Sequence, residues 1–454
     1  MSQKLIHDLR KHITGEIWTD SEAGKSLQEG LWNGAAEVKA AVSVRCLSAD
    51  DVQHAVRVAA EYAVPVSTLG GGHDWFRRAI APEGMTLDLR SLRQTTLSTD
   101  RTTLTVQGGA IVKDAIDALP EGCALVTGVS TQVGLAGLAL GGGYGKLNAR
   151  FGLVTDNLKS ARVVLADGSC VTVSQQENPD LFWALRGAGK NFAVLTSAEF
   201  YLHRLTPVLA ATVFIELRNA RAGLKNLQAI LDEADDRLSV FSSFTTLPGK
   251  GFGLILSPLW TGDAPTGEKY LRRLSSVDGA SVVKKGWVDY RLTYDDASDR
   301  SAWPKGRGYQ MDAFNLDRLT DAVTDAIIEC CHQTPSARNC IMLHDFHGKA
   351  ARIEAGATAF PHRRNHFNMQ VVASWQQSDE ALKGREWLSD IRKIMTPLSS
   401  RDAYPAILGP ESHERARAFY GDATEKLMLL KNRFDKNNLF CADYGLFATT
   451  ISAR

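Results

Sequence analysis

Two glycine-dense stretches constrain this chain more than anything else in its sequence. The first is Leu69-Gly70-Gly71-Gly72-His73, and the second carries Gly134, Gly137, Gly141, Gly142, Gly143 and Gly145 around Tyr144. Glycine removes Cβ and opens positive φ, so several backbone N–H groups can converge on one point, and such a point holds a phosphate without a lysine. Two loops of this kind in a β-rich region are what a diphosphate gripped from two sides requires. Neither fits GxGxxG or GxxxxGK[ST], which disfavours a Rossmann site and a P-loop. Taken alone, such glycines also serve as turns and bulges, and His73 after them as a structural histidine.

The segments around the loops read as a β-rich first half. Asp50-Asp51 caps a helical stretch, and strands follow at Val64 to Leu69, from Met85 and from Thr103. A helix-like piece covers Val112 to Leu119. Ala161 to Ala166, the turn Asp167-Gly168 and Cys170 to Ser174 form a hairpin, and Phe192 to Leu202 is a further strand. The texture changes near Leu205-Thr206-Pro207. Beyond it, strands (Val208 to Leu217, Phe252 to Leu256, Ile341 to Phe346, Phe367 to Trp375) alternate with amphipathic helices (Asn219 to Asp236, Leu316 to Cys331, Glu380 to Met395). That pattern predicts a sheet backed by helices, and 454 residues are too many for one ordinary core.

The charge pattern narrows the partners. A formal net charge of +1 gives no electrostatic case for nucleic acid or an anionic membrane. No apolar run approaches the ~20 residues of a membrane span. Met1 to Ile13 lacks the apolar core of a secretory leader. The seven cysteines form no CxxC pair, and adjacent Cys330 and Cys331 read as two thiols. The expectation is a reduced cytoplasmic protein, monomer or homodimer, with a small-molecule substrate.

The segment PVSTLGGGHDW resembles the first FAD-binding loop of the vanillyl-alcohol-oxidase-like flavoproteins, in particular the branch of berberine-bridge and 6-hydroxynicotine oxidases. TGVSTQVGLAGLALGGGYGKLNARFGLVTDNL is similar to the second loop. LFWALRGAGKNFAVLTSAEFYL, ATAFPHRRNHF and ERARAFYGDATEKLMLLKNRFDKNNLF resemble later blocks in the same order. The resemblance implies an α+β fold: a two-part PCMH-type FAD-binding domain plus a substrate domain with an antiparallel sheet backed by helices. The flavin domain would be residues 1–205 with the return 410–454, and the substrate domain 206–409. It implies FAD joined covalently to His73, with Gly70, Gly71 and Gly72 in the first loop. Gly128, Ser130, Gly134, Gly137, Gly141, Gly142, Gly143 and Gly145 would form the second, with Asp156, Asn157 and Val194 on the adenosine side. Leu69 stands where relatives often carry arginine, so one cation for the pyrophosphate is missing. Ser130 occupies the position of a second attachment cysteine, and its hydroxyl lacks thiolate reactivity, so one covalent bond is expected.

The implied function is an FAD-dependent oxidoreductase, expected to be an oxidase. It takes hydride from an alcohol, amine or phenolic small molecule and passes electrons to O2. The alternatives are a flavin dehydrogenase with another acceptor and a non-catalytic flavoprotein that sequesters a small molecule. Val133 falls where a small residue in relatives admits oxygen. For the base, Asp345 and His347 share one strand face, opposite His344 and Phe346, and a carboxylate beside an imidazole tunes it to accept a proton. Tyr444 in the tail is the other candidate base and flavin-edge contact, and Tyr144 lines the pocket.

Overall fold

The computed structural model describes residues 2–35, 38–409 and 412–440. Three sheets carry the fold among them. The first orders the strands Ile17–Thr19, Val42–Arg45, Met85–Asp88 and Val66–Leu69, the first pair antiparallel and the others parallel. The helix Ala49–Glu61 lays Val52, Ala55, Val56 and Ala59 on it. The second sheet is antiparallel and runs Thr95–Leu97, Thr103–Gln107, Val194–Arg204, Leu158–Val164 and Cys170–Ser174, with Cys123–Leu125 paired to the far end of Val194–Arg204.

Every strand of the third sheet lies between Val208 and Trp375. Its antiparallel order is Ala280–Val288, Val208–Glu216, Gly251–Trp260, Leu238–Leu247, Cys340–Phe346, His366–Trp375 and Gly308–Leu316. The alternation of His366–Trp375 explains how it sits. Phe367, Met369, Val371, Ala373 and Trp375 join a core with the helices Ala220–Glu233, Asp321–His332 and Ser378–Met395. The intervening His366, Asn368, Gln370 and Ser374 point to the opposite face, yet all ten residues of the strand are buried. A row of polar side chains is therefore enclosed between this sheet and the first half of the chain.

Some elements depart from the sequence expectation. Leu316 ends a strand, and the helix expected from it starts at Asp321, because the Thr320 hydroxyl accepts the Val323 N–H and caps it there. Ser48, not Asp50-Asp51, caps Ala49–Glu61; Asp51 is buried and takes the N–H groups of Thr14 and Leu47. The glycine-rich second loop contains a short helix, Leu135–Gly141. Cys330 and Cys331 are free thiols buried in Asp321–His332, and burial pushes the Cys330 thiol up to about 12. The chain's later helix Ala423–Phe434 returns to the first half, where the Lys431 ammonium donates to the Asn191 carbonyl and Val66 N–H to that of Leu439. Among the described residues no helix is long and apolar enough to cross a membrane.

Candidate active site

The two glycine loops meet backbone to backbone. A Cβ on Gly71 would stand 2.3 Å from the Gly134 nitrogen, and one on Gly134 would stand 2.6 Å from that of Gly71. Gly72 turns the chain at φ +67° so closely against residue 30 that a Cβ would lie 1.9 Å from the Gly30 carbonyl. No protein acceptor among the described residues takes the N–H groups of Gly70, Gly71, Gly72, His73, Gly134 or Gly137. This is a cradle of free donors between two loops, and a dinucleotide diphosphate fits it. Leu69 closes the preceding strand inside a hydrophobic cluster. A cation missed in the sequence stands beside the cradle: the Lys190 side chain lies 3.8 Å from the position a Gly137 Cβ would take. The later glycines are also tightly packed. The missing Cβ atoms of Gly128, Gly141, Gly142, Gly143 and Gly145 leave room for Leu138, Tyr404, Phe360, Val154 and Thr127 respectively.

His73 leaves the first loop into an aromatic cluster. Its ring lies flat on Trp32 at 4.3 Å, and Trp32 stacks its other side on Tyr309 at 4.0 Å. Burial pushes the His73 imidazole down to about 4, so it is neutral.

The polar row of the seven-stranded sheet faces Tyr144, which sits inside the second glycine loop. The Gln370 amide donates to Asn368 at 2.8 Å and the Asn368 amide to Asn315 at 3.0 Å. Beside them the Tyr144 hydroxyl and His366 Nε2 are 3.1 Å apart, and His366 Nδ1 is 2.8 Å from the Arg364 carbonyl. That carbonyl can only accept, so Nδ1 carries the proton and Nε2 accepts from Tyr144. Burial pushes His366 down to about 3, and its neighbour His362 reinforces this. His344 packs edge-on to Tyr144 at 6.1 Å, and burial pushes it down to about 4.

Asp345 and His347 do share a contact, at 3.1 Å. The face turned to Tyr144 is however that of Met342, His344 and Phe346, whereas Ile341 and Leu343 face the helices. Asp345 accepts from the Ser239 hydroxyl and the Val240 N–H, completing a strand end. The pair thus lies on the helix-covered side of the strand, away from Tyr144. Asp156 and Asn157 are likewise spent inside the protein. Asp156 takes two hydrogen bonds from Arg363, at 2.7 and 2.8 Å, and one from Leu153 N–H. The Asn157 amide donates to the Phe151 and Leu153 carbonyls, and its oxygen faces His203. Both side chains are thus engaged within the protein. Val194 opens its strand opposite Val164, with its side chain in the first sheet's core. The Ser130 hydroxyl donates to Asp299, which also takes the Thr131 N–H, so the helix Asp296–Ala302 straps the second loop. Val133 is partly buried beside that loop. Tyr444 lies outside the described residues.

Residues 40–174 match the family described as FAD binding domain. The (R)-6-hydroxynicotine oxidase of Paenarthrobacter nicotinovorans is 38% identical over 206 residues, 45% of this chain and 44% of that enzyme, so the similarity spans less than half of its length. An FAD-linked oxidoreductase of Pyricularia oryzae is 29% identical over 441 residues, covering 91% of this chain and 85% of the relative. Among solved structures, the glucooligosaccharide oxidase of Acremonium strictum, described with a 6-S-cysteinyl, 8α-N1-histidyl FAD, has a TM-score of 0.84 at 24% identity, covering 96% of this chain and 97% of that one. The likeness to that structure is one of fold alone.

Proposed function

We propose that this chain, an FAD-linked oxidoreductase with its FAD-binding domain at residues 40–174, is an oxidase of a small alcohol, amine or phenol that carries its flavin on His73. The observation that carries this reading is the closure of Gly71 on Gly134 beside His73, under the polar face of the seven-stranded sheet. Residues 1–205 and the return from 410 would hold the cofactor, and 206–409 the substrate. When bound, FAD supplies a two-electron acceptor for hydride. The N–H groups of Gly70 to His73, Gly134 and Gly137 hold its diphosphate. Gln370, held by the Asn368–Asn315 pair behind it, orients the polar part of the substrate. The Tyr144 oxygen accepts the substrate O–H or N–H proton while its own proton moves towards neutral His366 Nε2.

Wild-type protein precipitated in acid should stay yellow, and His73→Ala should bind FAD yet release it all on denaturation. A colourless wild-type pellet would remove the covalent bond and leave FAD binding standing. The oxidase assignment has its own check. Anaerobic addition of 6-hydroxynicotine, oligosaccharides and phenolic alcohols should bleach the flavin with at least one compound. Air-saturated buffer should then restore the colour within seconds, since Val133 is small where oxygen must reach the ring. Reoxidation over minutes would point to a dehydrogenase, and spectral shifts without bleaching to a binding protein.

A further inference from the structure

The attachment residue sits in a frame that nothing in the flavin chemistry itself requires. His73 lies flat on Trp32, with 14° between the planes, and Trp32 lies flat on Tyr309, with 15°. Trp75 stands edge-on to Trp32 at 4.9 Å and to Tyr309 at 6.2 Å. The main chain on both sides of His73 is fastened to the same segment. Trp32 N–H donates to the Gly72 carbonyl at 2.9 Å, and the Asn33 amide donates to the Trp75 carbonyl at 2.7 Å. That segment is fastened in turn to the sheet. Asn33 exchanges hydrogen bonds with the Tyr309 backbone, at 2.8 and 3.0 Å, and the Trp32 indole donates to the Trp303 carbonyl at 3.0 Å. A stacked imidazole cannot rotate about its Cβ–Cγ bond without breaking the stack, so its nitrogens point in fixed directions.

We propose that Trp32, backed by Tyr309, is a positioning residue that aims the His73 imidazole for bond formation with the flavin. The inference rests on the attachment of FAD at His73 proposed above. The bond forms between an imidazole nitrogen and the 8α-methyl carbon of the flavin. The nitrogen and the methyl group each lose one proton, and the two electrons released pass through the flavin to dioxygen, which leaves as hydrogen peroxide. The attacking nitrogen needs a free lone pair, and burial keeps His73 neutral at ordinary pH. Trp32 touches neither bond that changes; it restricts direction, which is where a misplacement of about 1 Å is worth about a hundredfold in rate.

The test separates direction from binding. Trp32→Leu, Trp32→Phe and wild type are produced as full chains with FAD in excess. Total flavin per chain is read from the visible spectrum, and covalent flavin from acid-precipitated protein and its intact mass. The expected result is that Trp32→Leu keeps total FAD within about twofold while its rate of covalent incorporation falls at least about tenfold, and that Trp32→Phe retains most of the rate because a ring remains. If Trp32→Leu is insoluble, Tyr309→Leu removes the rear ring while sparing the Trp32 bond to Gly72, and it should lower the covalent rate in the same way. Covalent incorporation at the wild-type rate in the leucine variants overturns the proposal. So does a loss of covalent and total flavin in proportion, which marks a merely structural role. A colourless wild-type pellet overturns the attachment itself, and this role with it.

Discussion

Replacing Tyr144 by phenylalanine should slow anaerobic flavin reduction by ~10²–10⁴-fold, about 3–5 kcal/mol of barrier, while FAD content and reoxidation stay unchanged. The substitution removes only the hydroxyl that faces His366 Nε2 and leaves the ring in its packing against Phe346 and Tyr404. The pH dependence follows from the same pair. His366 must be neutral to accept the Tyr144 proton, and burial has pushed it down to about 3. Protonation is therefore confined to strongly acid solution, and the reduction rate should hold its plateau through pH 5. His366→Gln, which can accept a hydrogen bond but not a proton, should fall close to Tyr144→Phe. The measurement is stopped-flow reduction with whichever compound bleaches the wild type. Reduction within threefold of wild type in Tyr144→Phe would place the base elsewhere, and Tyr444 would be the next residue to change.

The second large effect is on stability. Asp156→Ala should destabilise the fold by about 3–5 kcal/mol, because it leaves the Arg363 charge buried and unpaired. Arg363 is 1% exposed and Asp156 5%. The guanidinium also donates to the Phe360 and Ala350 carbonyls and the Thr358 hydroxyl, so it cannot swing out to water without breaking those bonds. The double variant Asp156→Ala with Arg363→Met should recover much of the loss, since it removes the orphaned charge. Denaturant unfolding of the three variants measures this, or their unfolding rates where unfolding is irreversible. A loss below about 1 kcal/mol for Asp156→Ala would mean the pair is solvated in solution. Flavin per folded chain should not change, in keeping with a carboxylate spent on Arg363 and not on adenosine.

The legible parts of this protein were those written in local chemistry. Asp167-Gly168 between two alternating runs is a hairpin signal, and the chain makes that hairpin between Leu158–Val164 and Cys170–Ser174, with Gly168 at φ +78°. The close approach of the first loop was signalled by three glycines in a row after a strand, a run that alone also suits turns and bulges, and Gly71 and Gly72 do meet neighbouring backbone. Strand periodicity divided Asp345 and His347 from His344 and Phe346, but periodicity does not say which face meets the flavin half. That is set by which side the helices cover, a matter of tertiary packing. His366 escaped notice because its partner Tyr144 is 222 positions away. Lys190 beside Gly137 is a distant pairing of the same sort. The packing of Gly142 and Gly143 was hidden because a glycine making room for Phe360 or Val154 looks in sequence like a glycine making room for phosphate.

The fastening of residues 32 and 33 to the sheet also sets a clock. Asn33 and Tyr309 are 276 positions apart, so a ribosome adding about 5–20 residues per second needs roughly 14–55 s between them. Throughout that interval the Gly30–Gly34 stretch lacks its far anchor, and the stack behind His73 has only its front ring. The glycine loops are complete within the first third of synthesis, but the histidine between them is not yet aimed. On the attachment proposed for His73, covalent maturation would be deferred until the nascent chain is two-thirds made, sparing half-built molecules a permanent cofactor.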